Sequence, residues 1–518
     1  MSNIQILVVM CLYMAFVIGI GLYFAKRANQ NSENYFLGGR SLGPWVAAMS
    51  AEASDMSGWL LMGLPGVAYF TGLSDAFWTA IGLLLGTYIN WRIVAQRLHS
   101  YSIIAGDSIT IPEFFSNRFK EKNKIIMTIA ALFIFVFFTI YASSCFVTVG
   151  KLFNTLFGIP YHIMMIAGAL FVIIYTFLGG FLAESASDFM QAIVMIIALI
   201  VVLVTGIVYA GGLGAVLDNL QEIPGFLSFF GIAAPEMKEG LQQISQSGEP
   251  LFGEMGAYGL LTIISTMSWG LGYFGMPQVL LRFMAIRKHD ELKQSRRIAT
   301  VWCAISLFAA VAIGLVGRAA FPVEHLSSGS AEKVFITLST NLLPTVLAGL
   351  AMAGILAATI SSSDSYLLIA SSAMSKNIFQ GLFKRNATDK QVMIASKIIL
   401  LVISFMGVII AMDENSVIFT VVSFAWAGFG ATFGPLMLFS LFWKRTTREG
   451  AIAGMLGGGI MVFFWKLVLK PMGGILGLYE LLPAFLFSCL IIVIVSLLTQ
   501  EPEEEIQKEF ILAKDYQE

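Results

Sequence analysis

The sequence predicts an all-α membrane protein that crosses the bilayer about thirteen times. Hydrophobic residues make up 57% of the chain and charged residues only 12%, whereas soluble domains carry roughly 25% charged residues. The mean hydropathy is +0.81. Apolar runs of about 20 residues, the length of a helix that crosses the hydrocarbon core, recur along the whole chain. Uniformly apolar runs exclude a β-barrel, whose strands alternate between lipid-facing and lumen-facing residues.

The predicted spans follow one another along the chain. They cover residues 4–25, 43–70, 76–98, 125–152, 162–182, 188–209, 256–274, 298–319, 345–374, 391–412, 417–443, 451–469 and 482–498. Lysine and arginine collect in alternate loops, at 26–40, 118–124, 282–297, 384–390 and 444–448. Basic loops lie on the cytoplasmic side of membrane proteins. An odd number of spans then places the N-terminus outside and the acidic tail, from Glu501, inside; we expect that tail to be a solvated helix or disordered.

The composition argues against several classes of function. The net charge of −1 gives no sign of a nucleic-acid partner. The four cysteines and four histidines are scattered, without a CxxC pair or a metal-ligand spacing. No segment resembles a soluble catalytic domain. We therefore expect a protein that is not an enzyme and has no organic cofactor and no obligate protein partner.

The second span contains the stretch SAEASDMSGWLLMGLPG, with two acids, Glu52 and Asp55, at mid-membrane depth. An ionisable group there costs about 2.5–3.5 kcal/mol to insert, so it implies a function. Ser, Asp and Gly favour local side-chain bonds and caps over a helix interior. The stretch thus predicts an unwound centre between two half-helices, whose freed carbonyl oxygens suit a small hard cation.

The seventh span, TIISTMSWGLGYFGMP, repeats this pattern five spans later. Serine, tryptophan and glycine lie together at 268–270, and the segment ends at Pro277. The second span has the same three residue types at 57–59 and ends at Pro65. Two interrupted hydrophobic segments at corresponding places indicate an inverted-repeat transporter. Trp269 and a tyrosine one helical turn later either pack against neighbouring helices or contact a substrate.

The ninth span carries five consecutive polar residues, 361–365, within AATISSSDSYLL. One serine can bond to its own helix, but five consecutive polar residues cannot all face lipid. This face therefore lines a cavity or a site. The hydroxyls of Ser361 and Ser362, with Asp364 close by, can complete an oxygen cage for a cation. Asp188, at the head of the sixth span, is a further acid at membrane depth.

Several of these motifs together closely resemble the sodium/solute symporter family. They are LGGRSLGP, SDMSGWLLMGLPG, WGLGYFGMPQ, the serine pair in AATISS, and SFAWAGFGATFGPLML. The resemblance extends over nearly the whole chain. It implies a five-plus-five inverted-repeat, leucine-transporter-like core at 43–212 and 256–443. Residues 1–42 would then form a first helix and loop, 213–255 an extracellular loop, 444–500 two additional helices, and 501–518 a cytoplasmic tail.

The family resemblance also implies a function. We expect a symporter of a bacterial-type plasma membrane that uses Na⁺ as its coupling ion and imports L-proline by alternating access. The same fold with another small solute remains open: another amino acid, an osmolyte, a monocarboxylate, pantothenate or a sugar. A membrane sensor would need a signalling domain, for which the chain after Leu498 is too short. An intramembrane hydrolase would need a nucleophile with a base partner, which no motif supplies.

Site residues follow from the resemblance position by position. The sodium ligands would be the carbonyls of Ala53 and Met56 and the hydroxyls of Ser361 and Ser362. Ion coupling would involve Asp55 and Asp188, to which the polar run adds Asp364. The substrate would meet Ser57, Gly58, Tyr141, Trp269, Tyr273 and Pro277.

Arg40 matches the family's functional arginine before the second span. The family has a Ser-Thr pair where this chain has two serines, Ser361 and Ser362. Neither Glu52 nor Asp364 has a counterpart with a known role.

Overall fold

The computed structural model describes residues 2–28 and 30–515. Met1 and Asn29, in the predicted first segment, and residues 516–518 of the predicted tail lie outside the described residues. The α-helices are α1 (Ser2–Ala28), α2 (Ser32–Leu37), α3 (Pro44–Asp55), α4 (Leu64–Thr71), α5 (Leu73–Ile89), α6 (Ala95–Ile104), α7 (Ile111–Arg118), α8 (Ile125–Phe157), α9 (Tyr161–Tyr209), α10 (Leu213–Gln221), α11 (Leu260–Met267), α12 (Pro277–Ala285), α13 (Leu292–Ala320), α14 (Ser328–Ala331), α15 (Val334–Leu342), α16 (Thr345–Ser372), α17 (Asp389–Ile410), α18 (Ile418–Phe442), α19 (Arg448–Phe464), α20 (Leu481–Leu498) and α21 (Glu504–Asp515).

Tighter and wider helical turns join several of these helices. The 3₁₀ turns are Gly38–Arg40, Ser268–Gly275, His289–Glu291, Lys470–Met472 and Gly474–Gly477, and the π-helical turns are Trp59–Gly63, Asn90–Val94, Ala373–Phe383 and Trp465–Leu469. The segment between α10 and α11 holds four two-residue strands, β1 (Gly231–Ile232), β2 (Met237–Lys238), β3 (Leu241–Gln242) and β4 (Gly256–Ala257). They form two antiparallel pairs, β1 with β4 and β2 with β3.

Nine helices in the described part of the chain are long and apolar enough to cross a membrane. They coincide with the predicted first, fourth, sixth and eighth to thirteenth spans. The other predicted spans fall on shorter or interrupted helices: the second on α3 and α4, the third on α5 and α6, the fifth on the first part of α9, and the seventh on α11 and the 3₁₀ turn Ser268–Gly275. The protein is thus a multi-pass helical membrane protein. Some of its predicted spans are long uninterrupted helices, and others consist of two short helices joined by a turn.

The predicted fifth and sixth spans are separate helices within α9, Tyr161–Phe177 and Gly180–Tyr209. The second of them begins at Gly180 rather than at Asp188, at a kink where φ is 57° and ψ is −174°. Glycine fits because L side chains rarely adopt this φ and because a Cβ there would lie 2.9 Å from Cδ2 of Tyr35. Asp188 therefore lies about two turns inside the helix after the kink, rather than at the head of a span.

The predicted end of the seventh span was also wrong. Helical structure continues past Phe274 through the 3₁₀ turn and α12 to Ala285. Arg282, counted above as a loop cation, lies on α12 and is fully buried inside the protein. The hydropathy pattern missed this extension because a glycine-rich turn and a proline interrupt the apolar run at 268–277.

Burial separates a helical core from a lipid-facing shell. α16 and α18 are the most buried of the long helices, whereas most residues of α1, α17, α19 and α20 are at least partly exposed. α16 packs against α3, α8 and α9, and α18 packs against α8 and the 3₁₀ turn at Ser268–Gly275. The two interrupted segments therefore lie against the two most buried helices.

The C-terminal segment is a docked helix, not a free tail. α21 packs on α6, and Phe510 is buried, with its ring 5.2 Å from the guanidinium carbon of Arg97. Lys120 forms ion pairs with Glu505, at 3.0 Å, and with Glu509. The hydrogen bond to Glu509 raises the pKa of Lys120. Of the two expectations for the tail, the helix is confirmed for Glu504–Asp515 and disorder is wrong for this segment; its docking on α6 was not predicted.

Candidate functional site

The first helix break lies between α3 and the π-helical turn that begins at Trp59. Met56 leaves helical geometry, with φ −82° and ψ 74°, while its N–H still bonds to the Glu52 carbonyl at 2.8 Å. The chain resumes helical hydrogen bonding when the Leu60 N–H reaches the Ser57 carbonyl at 3.0 Å. The break predicted from the serine, aspartate and glycine residues is therefore present, and it frees carbonyl oxygens at buried positions.

The second break is the 3₁₀ turn Ser268–Gly275, followed by Met276 in an extended conformation. Pro277 starts α12, where its missing N–H is tolerated. Side chains take up the carbonyls that the tight turn frees. Trp426 Nε1 donates to the Trp269 carbonyl at 2.8 Å, and Asn90 Nδ2 donates to the Tyr273 carbonyl at 3.0 Å. The second interrupted segment is therefore a rigid, satisfied turn.

Three of the four predicted sodium ligands meet where α16 passes the first break. Ser361 Oγ lies 2.8 Å and Ser362 Oγ 3.3 Å from the Ala53 carbonyl oxygen, and all three residues are fully buried. Met56, the residue that follows the end of α3, is also fully buried. Carbonyl and hydroxyl oxygens are ligands that small hard cations prefer. The donor set thus fits Na⁺ as a transported ion.

Asp55 connects the two breaks. Tyr273 donates its hydroxyl to Asp55 Oδ2 at 2.8 Å, and Gln278 Nε2 lies 3.4 Å from Oδ1. The Asp55 backbone carbonyl accepts from the indole N–H of Trp59 at 3.3 Å and lies 3.5 Å from the Tyr141 hydroxyl. One residue at the end of α3 therefore contacts the second break, the helix α12 that follows it, and helix α8.

Aromatic rings cover this junction. The ring centroids of Trp269 and Trp59 lie 6.1 Å apart, and Trp269 also stacks on Tyr479 at 5.3 Å. The Tyr141 ring stacks on Tyr366 at 4.3 Å. These rings present flat apolar faces beside the polar groups of the first break, an arrangement suited to a small solute with one apolar side.

Ser57 and Gly58 lie in the break itself, and both are buried. Gly58 meets α8 so closely that a Cβ at this position would lie 2.6 Å from Cγ2 of Thr148. A side chain larger than hydrogen would push the break away from α8. The glycine therefore sets how closely the break approaches Tyr141, which lies on the same helix.

Asp188 and Asp364 belong to a second polar cluster, which we call the charge cluster. It consists of Ser50, Glu184, Asp188, Arg282, Asp364 and Ser365. Arg282 pairs with Asp188 at 3.2 Å and with Glu184. Its Nε lies 3.0 Å from Ser50 Oγ, which itself donates to Asp188 at 2.7 Å. The cluster lies fully inside the protein, where charges persist only with such partners.

Sequence reasoning missed Arg282, Glu184 and Gln278 as site residues. A signal for two of them was present: in PQVLLRFMA the glutamine and the arginine lie one turn apart in an otherwise apolar helix, and so share a face. Glu184 fell within the predicted loop between the fifth and sixth spans.

Asp364 lies at the edge of the charge cluster. Its Oδ1 accepts from the neighbouring Ser365 N–H at 2.8 Å, and its Oδ2 has no hydrogen bond among the described residues.

Arg40 lies apart from both groups. It pairs with Asp107 at 3.0 Å and donates to the backbone carbonyls of Met284, at 2.7 Å, and Ser108, at 2.8 Å. Its role here is to hold the end of α12 against the segment after α6. The structure does not bring Arg40 together with the other predicted site residues.

Two interrupted helices, an oxygen set for a small cation and a buried aromatic junction define a membrane transporter that couples a solute to an ion. The chain belongs to the sodium:solute symporter family, whose model matches residues 35–458. The relatives include sodium/proline symporters of Staphylococcus aureus strains USA300 / TCH1516 and NCTC 8325 / PS 47. Each is 41% identical over 520 aligned residues, which cover 99% of this chain and 96% of the relative.

Solved structures share the fold. The chain matches a substrate-bound, outward-open Na⁺-coupled sialic acid symporter with a TM-score of 0.75 and 19% identity, over 96% of this chain and 99% of that one. A nucleobase-cation-symport-1 family transporter in a closed conformation matches with a TM-score of 0.51 and 13% identity, over 93% and 100% of the two chains. The protein is a sodium-coupled symporter.

Proposed function

We propose that this protein imports L-proline together with Na⁺ across the plasma membrane by alternating access. The observation that carries the proposal is that the end of α3 contacts both the second break and α16. The Asp55 side chain faces Tyr273 of the second break, and the Ala53 carbonyl, within one helical turn of it, faces the serine pair of α16. The relatives named as sodium/proline symporters support proline as the solute.

Sodium would bind between the first break and α16. The Ala53 and Met56 carbonyls and the two hydroxyls of Ser361 and Ser362 would hold the ion. Binding would replace the hydroxyl-to-carbonyl hydrogen bonds that now join α3 to α16. Because the ion binds oxygens from both elements, it would tie the break to α16 and stabilise the pocket for the solute.

Proline would bind beside the ion. Its carboxylate would lie near the backbone N–H groups at Ser57 and Gly58, since a helix start favours an anion. Its ring would pack against Trp269 and Tyr273, with Tyr141 on the opposite side. Pro277, at the first turn of α12, would fix the path of the second break and hence the shape of the pocket.

The topology of this proposal has thirteen spans in the predicted segments. Residues 43–212 and 256–443 form the two inverted repeats, 213–255 lies outside, and two additional helices follow at 444–500. The N-terminus lies outside and the C-terminal segment, from residue 501, inside. The concentration of lysine and arginine in alternate loops supports this orientation, because basic loops lie on the cytoplasmic side of membrane proteins. Asp188 and Asp364, in the charge cluster, would couple ion binding to movement of α9 and α16.

The proposal is tested by uptake of radiolabelled proline into proteoliposomes with an imposed Na⁺ or H⁺ gradient. We expect uptake with the inward Na⁺ gradient and little with the H⁺ gradient. Unlabelled solutes of similar size, such as alanine and betaine, serve as competitors. Absence of proline uptake under both gradients would remove the substrate assignment, and equal uptake with protons would remove the sodium assignment.

A further inference from the structure

A concave apolar groove runs along the outer surface of the bundle between α3, α9 and α13; we call it the α3–α13 groove. It encloses about 440 Å³. Isoleucines of α9 form one wall, Val301 and Trp302 of α13 another, and Met49 lies at its base. Its lining contains one charged side chain, Arg297, at one end. A groove of this composition, on the side that faces lipid, has the shape of a site for a hydrocarbon chain.

The length of the groove corresponds to one leaflet of the bilayer. From Arg297 to Ile305 the helix rises about 12 Å, and half of the hydrocarbon core is about 15 Å thick. Ser295 Oγ donates to the Pro44 carbonyl at 3.1 Å, so the start of α3 lies level with the arginine end. Trp45, 54% exposed, therefore lies at the same level as Arg297. Tryptophan and arginine at one level are typical of the membrane interface.

The charge at this end favours an anion. Arg297 is exposed and forms no ion pair with any described residue, whereas the nearby Arg287 is already paired with Glu291 at 2.7 Å. Lys293, also exposed, lies one turn before Arg297 on the same helix. Basic side chains between membrane helices bind anionic headgroups. We infer that the α3–α13 groove binds a phospholipid with an anionic headgroup, with its acyl chain along α9 and α13 and its headgroup on Arg297.

This lipid site lies directly behind the charge cluster. Met49, at the base of the groove, precedes Ser50, whose hydroxyl donates to Asp188. Trp302, also in the groove, donates its indole N–H to the Ala192 carbonyl at 3.2 Å, one turn beyond Asp188 on α9. A bound acyl chain therefore supports α3 and α9 where they hold Asp188. The lipid site goes beyond the proposed function, and its binding test does not depend on which solute is carried.

Binding is tested by native mass spectrometry of the purified protein with phosphatidylglycerol or phosphatidylcholine of identical acyl chains. We expect wild-type protein to retain phosphatidylglycerol preferentially. Arg297→Gln should reduce that preference at least fivefold, and Val301→Trp, which fills the groove, should reduce adducts of both lipids. The matched controls are Arg385→Gln, an exposed arginine elsewhere, and Ile398→Trp on α17, where Ile398 is 58% exposed against 59% for Val301. Both controls should bind lipid as the wild type does.

Uptake measurements give an independent readout. Wild-type proteoliposomes should take up proline at least threefold faster with phosphatidylglycerol than with phosphatidylcholine alone, and Arg297→Gln should be equally slow in both. The inference would be overturned if Arg297→Gln and Arg385→Gln retained phosphatidylglycerol to the same extent. Unchanged adducts in Val301→Trp would overturn it as well. A protein dimer that Val301→Trp dissociates, without loss of lipid, would assign the groove to a second copy of the chain instead.

Discussion

A single residue, Asp55, joins the two interrupted helices of this protein. Its side chain accepts from Tyr273, within the second break, and faces Gln278 on the helix that follows, while its backbone carbonyl accepts from Trp59. Removing one partner of a buried hydrogen bond costs about 1–3 kcal/mol, because the other polar group is left without a partner. We therefore expect this contact to hold the two breaks in register.

The first prediction removes one hydrogen bond at this contact. Tyr273→Phe keeps the ring against Trp426, 5.0 Å away, but leaves Asp55 with Gln278 alone. We expect the proline concentration for half-maximal uptake to rise about tenfold, corresponding to about 1.4 kcal/mol. Asp55→Asn combined with Tyr273→Phe should lose less than the sum of the single changes, because both remove one contact. Tyr161→Phe, which breaks a bond to the Ala411 carbonyl, is the control. Additive losses would argue against the contact.

The second prediction separates the serines of α16. Ser362→Ala removes an oxygen that faces the Ala53 carbonyl, so the Na⁺ concentration for half-maximal uptake should rise about tenfold or more while protein abundance stays constant. Ser363→Ala is a matched control, because Ser363 donates to Thr359 of its own helix at 2.6 Å. The readout is the Na⁺ dependence of proline uptake. If the two variants show the same Na⁺ dependence, Ser362 is not a sodium ligand.

At the scale of elements, the first break depends on its contact with α8. Thr148 satisfies its own hydroxyl within α8, at 2.8 Å from the Ser144 carbonyl, and so presents a fixed surface to the break. Only glycine at position 58 fits against that surface. The position of the break is therefore set by packing between elements as well as by its own sequence.

The third prediction tests this packing. In Gly58→Ala the added methyl overlaps Thr148, and overpacking of this kind costs about 1–3 kcal/mol. We expect proline uptake to fall at least fivefold, with a lower melting temperature in detergent. Thr148→Ala in the same protein should restore most of the uptake, because it removes the overlapping atoms. Gly19→Ala, with no atom within 4 Å of its Cβ position, should have no effect. Failure of the second change to rescue the first would show that Gly58 acts through something other than this contact.

A second element carries a pH-sensitive group outside the membrane. His325 lies between α13 and α14, with Nε2 2.9 Å from the Thr337 hydroxyl. Burial, followed by the neighbouring charges of Lys333 and Arg318, lowers the pKa of His325 to about 4 from its usual 6.5. Between these two values the unfolded segment binds a proton that the folded segment does not bind. The stability of this segment therefore falls as the pH drops below about 6.5 and levels off near pH 4.

The fourth prediction follows from that pKa. From pH 7 to pH 5 the segment 321–344 should lose about 2 kcal/mol of local stability. Hydrogen-exchange protection factors, corrected for the intrinsic rates, should fall on the order of tenfold or more there. His325→Gln, which keeps a group able to bond to Thr337, should remove this pH dependence. His162→Gln, at an exposed histidine, should leave it intact. Equal pH dependence in both variants would contradict the assignment.

At the scale of the whole molecule, local chemistry could be predicted from the sequence and long-range partners could not. The two breaks and the serine pair were predicted, because Ser, Asp, Gly and Pro act on their own stretch of backbone. Arg282 was not, because a cation after a glycine-rich segment resembles a loop cation until its partner Glu184, 98 residues away, is in place. The docking of α21 also depends on a distant partner, Lys120. Such pairs depend on how helices pack, which periodicity does not encode.

The fifth prediction concerns the charge that the whole protein moves. One Na⁺ with a zwitterionic solute carries one net positive charge inward, and 100 mV acts on that charge with about 2.3 kcal/mol. At about 1.4 kcal/mol per tenfold, proline should accumulate roughly 40-fold in proteoliposomes with equal Na⁺ on both sides and an inside-negative potassium diffusion potential of about 100 mV.

The control for this measurement is the same vesicle without the potassium gradient, in which proline should only equilibrate. The double variant with alanine at both Ser361 and Ser362 should show little accumulation, because the ion would lose both hydroxyl oxygens that face Ala53. No accumulation by the wild type under the potential would mean an electroneutral cycle. The assumed stoichiometry, in which one Na⁺ enters with one zwitterionic solute, would then be wrong. Either a second cation would move outward in each cycle, or the transported solute would carry a negative charge. Accumulation near the square of the predicted ratio would mean instead that two Na⁺ enter with each solute, since each further charge multiplies the ratio by the same factor.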